Sequence, residues 1–470
     1  MFTEPAFLER LSARLGPRGL TTAPDDLAPW LTDWRGRFHG RAAALAAPAT
    51  TAEVVDVVRL AAAVRVAIVP QGGNTSMVGG ATPDASGSAI ILSMRRMAAV
   101  REVSVADASL VAEAGAVLSA VHDAAAAEGL RFPLSLAAKG SATIGGLIST
   151  NAGGTQVLRF GTMRAQVLGL EAVLADGSVV GGLVPLRKDN RGYDLKQLLI
   201  GAEGTLGIVT AATLRLVPEP AERLVAWVGL ASPGDALTLL RRIEAVSGEA
   251  VESFELVPRV ALDLVLANIP GTRAPLARGH DWNVLVDAAG PSVVAVEAAL
   301  AAAIQDGLAE DATIAGNAAQ GEALWRLRES ISEAERIDGA AAKHDIAVPV
   351  AAAPAFVMRA TDAVEARFAG ARVIAFGHVG DGNIHFNVRA PAGRDSAAWV
   401  ADEGAAVSAF VHDLIQAEGG SLSAEHGIGQ MKRAEFARLA DPARIAAMRA
   451  IKDALDPLGI MNPGKLLPDR

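Results

Sequence analysis

The stretch Pro70-Gln-Gly-Gly-Asn-Thr-Ser-Met-Val-Gly-Gly80 directly follows a short apolar run at residues 66–69. Glycine permits tight turns and lets a ligand or another chain segment approach the backbone closely. Successive exposed N–H groups in such a loop can hold an anion. The loop lacks both the Lys-Ser/Thr ending of a nucleoside-triphosphate loop and the Gly-x-Gly-x-x-Gly spacing of a Rossmann turn. It therefore predicts either a phosphate-binding loop of another class or a glycine-rich hairpin turn.

Two further glycine-rich blocks follow, Pro133-Leu-Ser-Leu-Ala-Ala-Lys-Gly-Ser-Ala-Thr-Ile-Gly-Gly-Leu-Ile-Ser-Thr-Asn-Ala-Gly-Gly154 and Gly201-Ala-Glu-Gly-Thr-Leu-Gly-Ile-Val209. The small residues from 141 to 154 suit a backbone that lies along a large flat ligand. Between the blocks, apolar runs at 169–174 and 179–180 flank Asp176-Gly177 and predict a hairpin. Because helices do not follow each strand regularly, the pattern predicts an α+β fold, not a doubly wound sheet.

The pair of prolines in Pro218-Glu-Pro220 predicts a domain boundary. Beyond it, predicted strands at 224–228, 250–256 and 282–286 alternate with predicted helices at 235–246 and 292–305. This order favours an antiparallel sheet with helices on one face. A longer helix is predicted at 322–337, and its core stripe consists of Leu324, Leu327, Ile331 and Ala334.

Composition excludes several classes of protein. The chain has 470 residues, a formal net charge of −9 and no basic run, which argues against nucleic acid or an anionic membrane as the main partner. It has no cysteine, which excludes disulfides, thiolate metal sites and iron–sulfur clusters. No apolar run has the length of a membrane span, and the first residues lack a secretory signal pattern. A cytoplasmic enzyme is expected.

The stretch Phe376-Gly-His-Val-Gly-Asp-Gly-Asn-Ile-His-Phe-Asn-Val388 is the candidate centre of the chemistry. Asp381-Gly382 predicts a type I′ turn, which would place His378 opposite His385, with Asn387 on the same face. Two imidazoles so placed can share one divalent cation. The alternative is a glycine-rich loop with polar caps.

A second turn, Ser423-Ala-Glu-His-Gly-Ile-Gly429, supplies an adjacent carboxylate and imidazole. Two histidines and one carboxylate form a common open site for zinc or another divalent ion. Since adjacent side chains point in different directions, Glu425 could face the metal while His426 faces the substrate.

A third set of residues could bind a carboxylate. Arg328 and Ser332 are spaced as neighbours on a helix face, and Lys343 comes just before a strand predicted at 346–350. Arginine offers a bidentate clamp to a carboxylate. The alternative is a solvated helix face and a surface lysine.

Together with Asn462-Pro-Gly-Lys465, these motifs resemble the flavoproteins of the vanillyl-alcohol-oxidase type, which share a p-cresol-methylhydroxylase (PCMH) type FAD-binding domain. The branch most similar to the chain is that of the FAD-linked D-2-hydroxyacid dehydrogenases that act on D-2-hydroxyglutarate. The resemblance implies a FAD-binding domain at 1–217 with its core at about 45–215, a substrate or cap domain at 218–425 that carries a metal site, and a C-terminal segment at 426–470 that returns to the FAD site.

The resemblance also assigns site residues. It implies that His378, His385 and Glu425 bind a divalent metal, usually zinc. It also implies that Arg328, Ser332 and Lys343 bind the distal carboxylate of the substrate. Asn387 and His426 match substrate-binding and catalytic positions. The residues that would contact FAD come from all three glycine-rich blocks and the C-terminal motif: Pro70, Gly72, Gly73, Asn74, Thr75, Ser76, Met77, Val78, Pro133, Ser141, Thr143, Gly145, Gly146, Ser149, Asn151, Gly153, Gly154, Gly161, Glu203, Gly207, Ile208, Val209 and Asn462.

The sequence departs from the family pattern at three positions. Gln71 stands where a basic residue is frequent, Ser76 where glycine is frequent, and Ser332 where threonine is common. No histidine lies between Pro70 and Gly80 and the chain has no cysteine, so we expect FAD to be bound non-covalently.

The implied reaction is oxidation of D-2-hydroxyglutarate to 2-oxoglutarate, with hydride transfer from C2 to flavin N5. His426 is the candidate general base, since an imidazole pKa near 6.5 suits proton transfer at neutral pH. The expected electron acceptor is an electron-transfer flavoprotein or a quinone-like molecule, and a homodimer is expected. The alternatives are a D-lactate or glycolate dehydrogenase of the same fold, a non-redox flavoenzyme and a non-enzymatic metal-binding protein.

Overall fold

The computed structural model describes residues 5–469. The chain divides into two compact units. The first unit comprises the chain up to Gly154, the segment Gly161–Glu219 and the chain from Glu425 onward. The second unit comprises Thr155–Phe160 and Pro220–Ala424. Each unit has its own hydrophobic core.

Helices occur in both units. Their bounds are α1 Pro5–Leu15, α2 Pro24–Leu27, α3 Thr51–Val64, α4 Leu118–Ala126, α5 Ile144–Thr150, α6 Val157–Phe160, α7 Met163–Gln166, α8 Leu195–Leu199, α9 Pro233–Ser247, α10 Arg259–Asn268, α11 Val293–Gln305, α12 Ala318–Glu329, α13 Ile331–Asp338, α14 Ala353–Arg367, α15 Ser396–Ala417, α16 Arg433–Leu439 and α17 Pro442–Leu455. A short 3₁₀ helix spans Ala28–Trp30. Across residues 5–469, no helix combines the length and apolar character that crossing a membrane requires.

The strands are β1 Leu20–Thr21, β2 Ala44–Ala46, β3 Ile68–Gln71, β4 Ile90–Ser93, β5 Val100–Ser104, β6 Ser109–Glu113, β7 Leu130–Arg131, β8 Val167–Val173, β9 Val179–Gly182, β10 Ile208–Arg215, β11 Val217–Pro218, β12 Arg223–Leu230, β13 Val251–Pro258, β14 Trp282–Ala289, β15 Asp311–Ile314, β16 Ala341–Ala347, β17 Arg372–His378 and β18 Asn383–Arg389.

The first unit contains two principal sheets. One has the order β1-β2-β4-β3, in which β4 pairs in parallel with both β2 and β3. The other is antiparallel, with the order β5-β6-β10-β8-β9. The predicted hairpin around Asp176-Gly177 is confirmed, since Val173 pairs with Val179. Helices and strands do not alternate regularly, so the predicted α+β class is confirmed.

Helix α3 begins after a threonine that caps its first turn. The Thr50 hydroxyl oxygen accepts a hydrogen bond from Glu53 N at 3.1 Å, and Glu53 Oε2 accepts one from Ala49 N at 2.7 Å. These bonds satisfy backbone donors that the first turn of a helix otherwise leaves unpaired. The helix leads into β3, and β3 carries the chain into the first glycine-rich loop.

The second unit is built on one seven-stranded sheet with the order β15-β12-β14-β13-β17-β18-β16. Every neighbouring pair is antiparallel, as predicted. Helices cover both faces of this sheet, so the prediction of helices on one face is wrong. The first face packs against α9, α11, α14 and α15, and the second against α10, α12 and α13. The reason is that β12 and β14 bury apolar side chains on both of their faces. A strand with one face in solvent would instead alternate apolar and polar side chains.

The helix predicted at 322–337 is instead two helices, α12 and α13, which meet at Ser330. The core stripe of Leu324, Leu327, Ile331 and Ala334 is buried nevertheless, as predicted. The strand expected at 346–350 lies earlier in the chain, at Ala341–Ala347. Lys343 is therefore inside β16, not before it.

Trp227 anchors the second face of the large sheet. It is completely buried, and its Nε1 donates to Asn283 Oδ1 at 3.0 Å. We expect Trp227→Ala to lower the free energy of unfolding by about 3–5 kcal/mol, because it leaves a cavity and an unpaired amide oxygen. Urea denaturation measures this. Trp34→Ala is the control, since Trp34 is 69% exposed and its loss should cost under about 0.5 kcal/mol.

Candidate active site

The first glycine-rich loop lies directly against the second glycine-rich block. A Cβ atom on Gly73 would lie 1.8 Å from the Ser141 carbonyl oxygen, and one on Gly72 would lie 2.2 Å from Thr143 Oγ1. Real Cβ contacts are never this short, so both positions require glycine for close approach. The glycines are needed because two chain segments meet here.

These segments and the third glycine-rich block enclose a cavity of about 340 Å³ within the first unit. That volume falls inside the range of about 300–1,000 Å³ typical of cofactor and ligand sites. Most of the residues predicted to contact FAD line it: Pro70, Gly72, Gly73, Asn74, Thr75, Ser76, Met77, Val78, Thr143, Gly145, Gly146, Ser149, Gly153, Glu203, Gly207, Ile208 and Val209. The remaining candidates, Pro133, Ser141, Asn151, Gly154, Gly161 and Asn462, are not part of this lining.

The cavity suits a ligand with both polar and apolar parts. The Thr143 hydroxyl and Gln71 Oε1 are buried at its wall and have no hydrogen-bond partner among residues 5–469. Buried polar atoms are rarely left unpaired, so a polar ligand group fits here. Met94, Ala114 and Leu136 line the apolar part. Sequence reasoning missed these three, because nothing in the sequence distinguishes them from ordinary core residues.

Glu203 fixes the turn that carries Glu425 and His426. Its carboxylate accepts hydrogen bonds from Ile428 N and Gly429 N, both at 2.7 Å. Burial raises the pKa of Glu203, and the two backbone donors act against that rise. Gly427 has a φ of +77°, and a Cβ atom there would lie 2.7 Å from Glu203 Oε1. Within the first unit, Glu425 and His426 therefore line the cavity.

Asn462 supports the same wall. Its Nδ2 donates to the Glu203 carbonyl oxygen at 2.7 Å and to the Gly80 carbonyl oxygen at 3.0 Å. The C-terminal motif is thus joined to the first and third glycine-rich blocks.

In the second unit, the hairpin of β17 and β18 differs in register from the prediction. His385 pairs with Phe376, not with His378, and a four-residue turn separates the strands. Asp381 does not adopt a positive φ, so the turn is not type I′. Instead, Asp381 Oδ1 accepts from Asn383 N at 3.0 Å, while Asp381 N and Gly382 N both donate to the His378 carbonyl oxygen. The hydrogen bond to the Asp381 carboxylate thus stabilises a four-residue turn, which is longer than the two-residue type I′ turn.

His378 and His385 nevertheless lie close together. Their ring centroids are 5.7 Å apart and the rings are nearly perpendicular. Asp345 is the register partner of His385 in β16, which places another carboxylate beside this imidazole. The third predicted ligand, Glu425, belongs to the first unit. The three-residue metal set stays a prediction.

Glu255, in β13, joins His378 to Arg328. Its Oε1 lies 2.6 Å from His378 Nδ1, and its Oε2 accepts from Arg328 Nε at 2.8 Å. Burial acts to raise the pKa of Glu255, but its interactions with His378 and Arg328 outweigh burial and hold that pKa at about 2. Arg328 also lies over the Phe376 ring, 5.0 Å from its centroid. Arg328 is thus held by one ionised carboxylate and one aromatic face.

Lys343 is positioned by a second buried carboxylate. Its Nζ lies 3.4 Å from Glu335 Oε2, which also accepts from Asn387 Nδ2 at 2.7 Å. Burial raises the pKa of Glu335, although Lys343 opposes that rise. Lys343 and Asn387 are register partners and share a face of the sheet. Ser332 is exposed, and the break at Ser330 separates it from the helix that holds Arg328.

Glu255, Glu335 and Asp345 were not anticipated. Glu255 could have been found, because a glutamate in the apolar strand Val251–Pro258 costs free energy unless it is paired. Glu335 and Asp345 stand among other charged residues in the sequence and give no comparable signal.

Comparison with known proteins identifies the family. Residues 219–466 match the family described as FAD linked oxidases, C-terminal domain, and residues 42–181 match an FAD binding domain. The chain belongs to the FAD-linked oxidase family. Its cofactor is accordingly FAD, and the lining of the first-unit cavity fits that molecule.

Relatives with assigned activities match nearly the whole chain. It is 38% identical to the mitochondrial D-2-hydroxyglutarate dehydrogenase of Bos taurus, over 97% of this chain and 82% of that protein. It is also 38% identical to a D-2-hydroxyglutarate dehydrogenase of Xanthomonas citri pv. viticola, over 99% and 97%. A D-2-hydroxyglutarate–pyruvate transhydrogenase of Saccharomyces cerevisiae is 32% identical, over 95% and 90%.

Solved structures support the fold alone. An alkyldihydroxyacetonephosphate synthase has a TM-score of 0.75 at 17% identity, covering 98% of this chain and 86% of that one. A p-cresol methylhydroxylase has a TM-score of 0.71 at 15% identity, covering 99% and 96%. The predicted PCMH-type fold is confirmed.

We expect Gly73→Ala to weaken FAD binding, because its Cβ would force the first loop away from Ser141. Overpacking costs about 1–3 kcal/mol, which corresponds to about 5–150-fold in the dissociation constant. Flavin fluorescence during equilibrium dialysis measures this. Gly140→Ala is the control, since a Cβ there meets nothing within 4 Å and its φ is not in the left-handed region. Equal flavin affinity in both variants would contradict the close-approach account.

Proposed function

We propose that this protein oxidises D-2-hydroxyglutarate to 2-oxoglutarate. The proposal rests on one observation above all: two cationic side chains and two imidazoles lie on the same face of the second unit's sheet. Arg328 contacts Phe376 and is joined to His378 through Glu255, and Lys343 pairs in register with Asn387, two residues from His385. D-2-hydroxyglutarate has two carboxylates, one beside its hydroxyl group and one at the distal end. The distal carboxylate is the group that such cations can bind. The names of the full-length relatives point to the same substrate.

Each of the two cations is paired with a buried carboxylate of the protein. Arg328 Nε is bonded to Glu255, and this uses one of five guanidinium N–H donors. Lys343 Nζ lies 3.4 Å from Glu335 Oε2, and burial raises the pKa of Glu335. The other guanidinium N–H groups of Arg328 are donors that a substrate carboxylate can use.

We assign a divalent metal, zinc in the first instance, to His378, His385 and Glu425. Imidazole nitrogens and a carboxylate are the donors that zinc favours. A metal so held supplies Lewis acidity toward the hydroxyl and carboxylate of a 2-hydroxy acid. Asn387 contributes an amide on the same strand as His385.

His426 is assigned the role of general base. It lines the cavity of the first unit, where its turn is held by Glu203. Its imidazole would accept the hydroxyl proton, a role that suits a pKa near neutrality. FAD, held by the glycine-rich blocks that line the cavity, would supply the acceptor for the hydride from C2. The protein's own contribution is to hold the substrate and receive the proton.

FAD is proposed to be bound without a covalent link, and acid precipitation should release all flavin into the supernatant. From the family resemblance, we also propose that the electron acceptor is an electron-transfer flavoprotein or a quinone-like molecule. The same resemblance leads us to propose a homodimer.

Steady-state kinetics test the assignment of D-2-hydroxyglutarate as the substrate. We expect kcat/KM for D-2-hydroxyglutarate to exceed that for D-lactate and glycolate, measured with an artificial electron acceptor. A preference for D-lactate would replace the proposal with a monoacid dehydrogenase of the same fold.

His426→Ala should keep bound flavin and lose turnover by about 10²–10⁴-fold, the usual contribution of a general base. Flavin content by absorbance and kcat by acceptor reduction measure the two effects. His39→Ala is the control, because His39 hydrogen bonds to Thr32 and Gly36 and does not line the cavity. Unchanged kcat in His426→Ala would refute the base.

Lys343→Ala should reduce kcat/KM for D-2-hydroxyglutarate by about 30-fold or more and affect D-lactate much less. Removing the partner of a desolvated charge costs roughly 2–5 kcal/mol, and D-lactate has no distal carboxylate. Lys188→Ala, at an exposed lysine of the first unit, is the control. Equal losses for both substrates would mean that Lys343 does not contact the distal group.

A further inference from the structure

Glu255 makes no solvent contact and has two hydrogen-bonding partners. It is 0% exposed, and each carboxylate oxygen is directed to a different side chain. Oε1 lies 2.6 Å from His378 Nδ1 and Oε2 lies 2.8 Å from Arg328 Nε. His378 is assigned to the metal and Arg328 to the distal carboxylate of the substrate. One buried side chain therefore contacts residues assigned to opposite ends of the substrate.

The contact determines which nitrogen of His378 carries the proton. A carboxylate that already accepts from a guanidinium is an acceptor at both oxygens. His378 Nδ1 is therefore a protonated nitrogen, and in the neutral imidazole Nε2 carries the lone pair that binds a metal. A metal-binding imidazole commonly donates its other N–H to a carboxylate, which fixes both its tautomer and the orientation of its ring.

The same carboxylate orients the arginine. Arg328 is confined between Glu255 at Nε and the ring of Phe376, 5.0 Å away. A bond at Nε restricts the plane of the guanidinium and leaves the N–H groups of its two terminal nitrogens outside this bond. These are the donors that a bidentate contact to a carboxylate can use.

We propose that Glu255 is a positioning residue that holds His378 as an Nε2 ligand and aims Arg328 at the substrate's distal carboxylate. Glu255 thereby makes metal affinity and diacid selectivity depend on one side chain. This inference rests on the proposed function, because it takes His378 as a metal ligand and a diacid as the substrate.

The test is Zn²⁺ titration of the FAD-loaded protein after removal of bound metal with a chelator. We expect Glu255→Gln to weaken Zn²⁺ binding by about tenfold or more, the usual effect of losing such a partner. It should also lower the ratio of kcat/KM for D-2-hydroxyglutarate to that for D-lactate. Glu255→Asp, which keeps the carboxylate, should recover part of both properties.

Asp287→Asn is the matched control. Asp287 is also a buried carboxylate of the same sheet, and it accepts from Arg223 Nε at 2.9 Å and from Trp325 Nε1 at 2.7 Å. Its loss should lower stability as the loss of Glu255 does, but leave Zn²⁺ affinity and substrate selectivity unchanged. A merely structural role for Glu255 would make the two variants behave alike.

The outcomes distinguish the metal assignment from the positioning role of Glu255. Absence of Zn²⁺ binding by the unaltered protein would overturn the metal assignment of the proposed function. Zn²⁺ binding that is equal in the unaltered protein and Glu255→Gln would overturn the positioning role alone. Should Glu255→Gln not fold, ¹⁵N-histidine NMR of the unaltered, metal-free protein decides. A protonated Nδ1 in His378 supports the proposal and a protonated Nε2 overturns it, with the signal assigned by its loss in His378→Gln.

Discussion

The hydrogen bond between the buried carboxylate of Glu255 and His378 is the interaction on which the account of the second unit depends. A carboxylate without solvent contact in a sheet is destabilising unless charged or N–H groups surround it. Here both oxygens are satisfied, one by an imidazole and one by a guanidinium. The stability of the sheet therefore depends on the pairing of Glu255 with His378 and Arg328.

A different constraint governs the first unit. Three glycine-rich blocks meet so closely that side chains at Gly72 and Gly73 would overlap neighbouring atoms. The close approach brings backbone, hydroxyl and amide groups to the wall of one cavity. Glu203 then extends that wall by holding the turn of Glu425 and His426 through two backbone hydrogen bonds. Buried carboxylates organise the functional residues in each of the two units.

Sequence reasoning was most successful where a local rule has one outcome. The hairpin at Asp176-Gly177 and the α+β class follow from short-range chemistry, and both are confirmed. The ordered motifs also sufficed to recognise the family. The cavity lining was largely predictable, because small residues cluster where a large ligand lies on the backbone.

The failures have two physical origins, hydrogen bonds within the turn at Asp381 and partners distant in sequence. Asp381-Gly382 favours a type I′ turn locally, yet hydrogen bonds of Asp381 and His378 produce a wider loop in its place. Helices on the second face of the large sheet could not be inferred from strands 224–228 and 282–286 alone. Arg328 and Lys343 were predicted to bind a substrate carboxylate, but their carboxylate partners within the protein, Glu255 and Glu335, were not predicted. Long-range pairing of charges leaves little trace in a single sequence.

The most direct measurement is an anaerobic titration of the purified, FAD-loaded protein with D-2-hydroxyglutarate, followed by the visible absorbance of the flavin. The account predicts that the flavin bleaches stoichiometrically with D-2-hydroxyglutarate, and that prior removal of metal with a chelator prevents the bleaching until Zn²⁺ is restored. Flavin that stays oxidised under metal-replete conditions, or that bleaches equally well after metal removal, would contradict it.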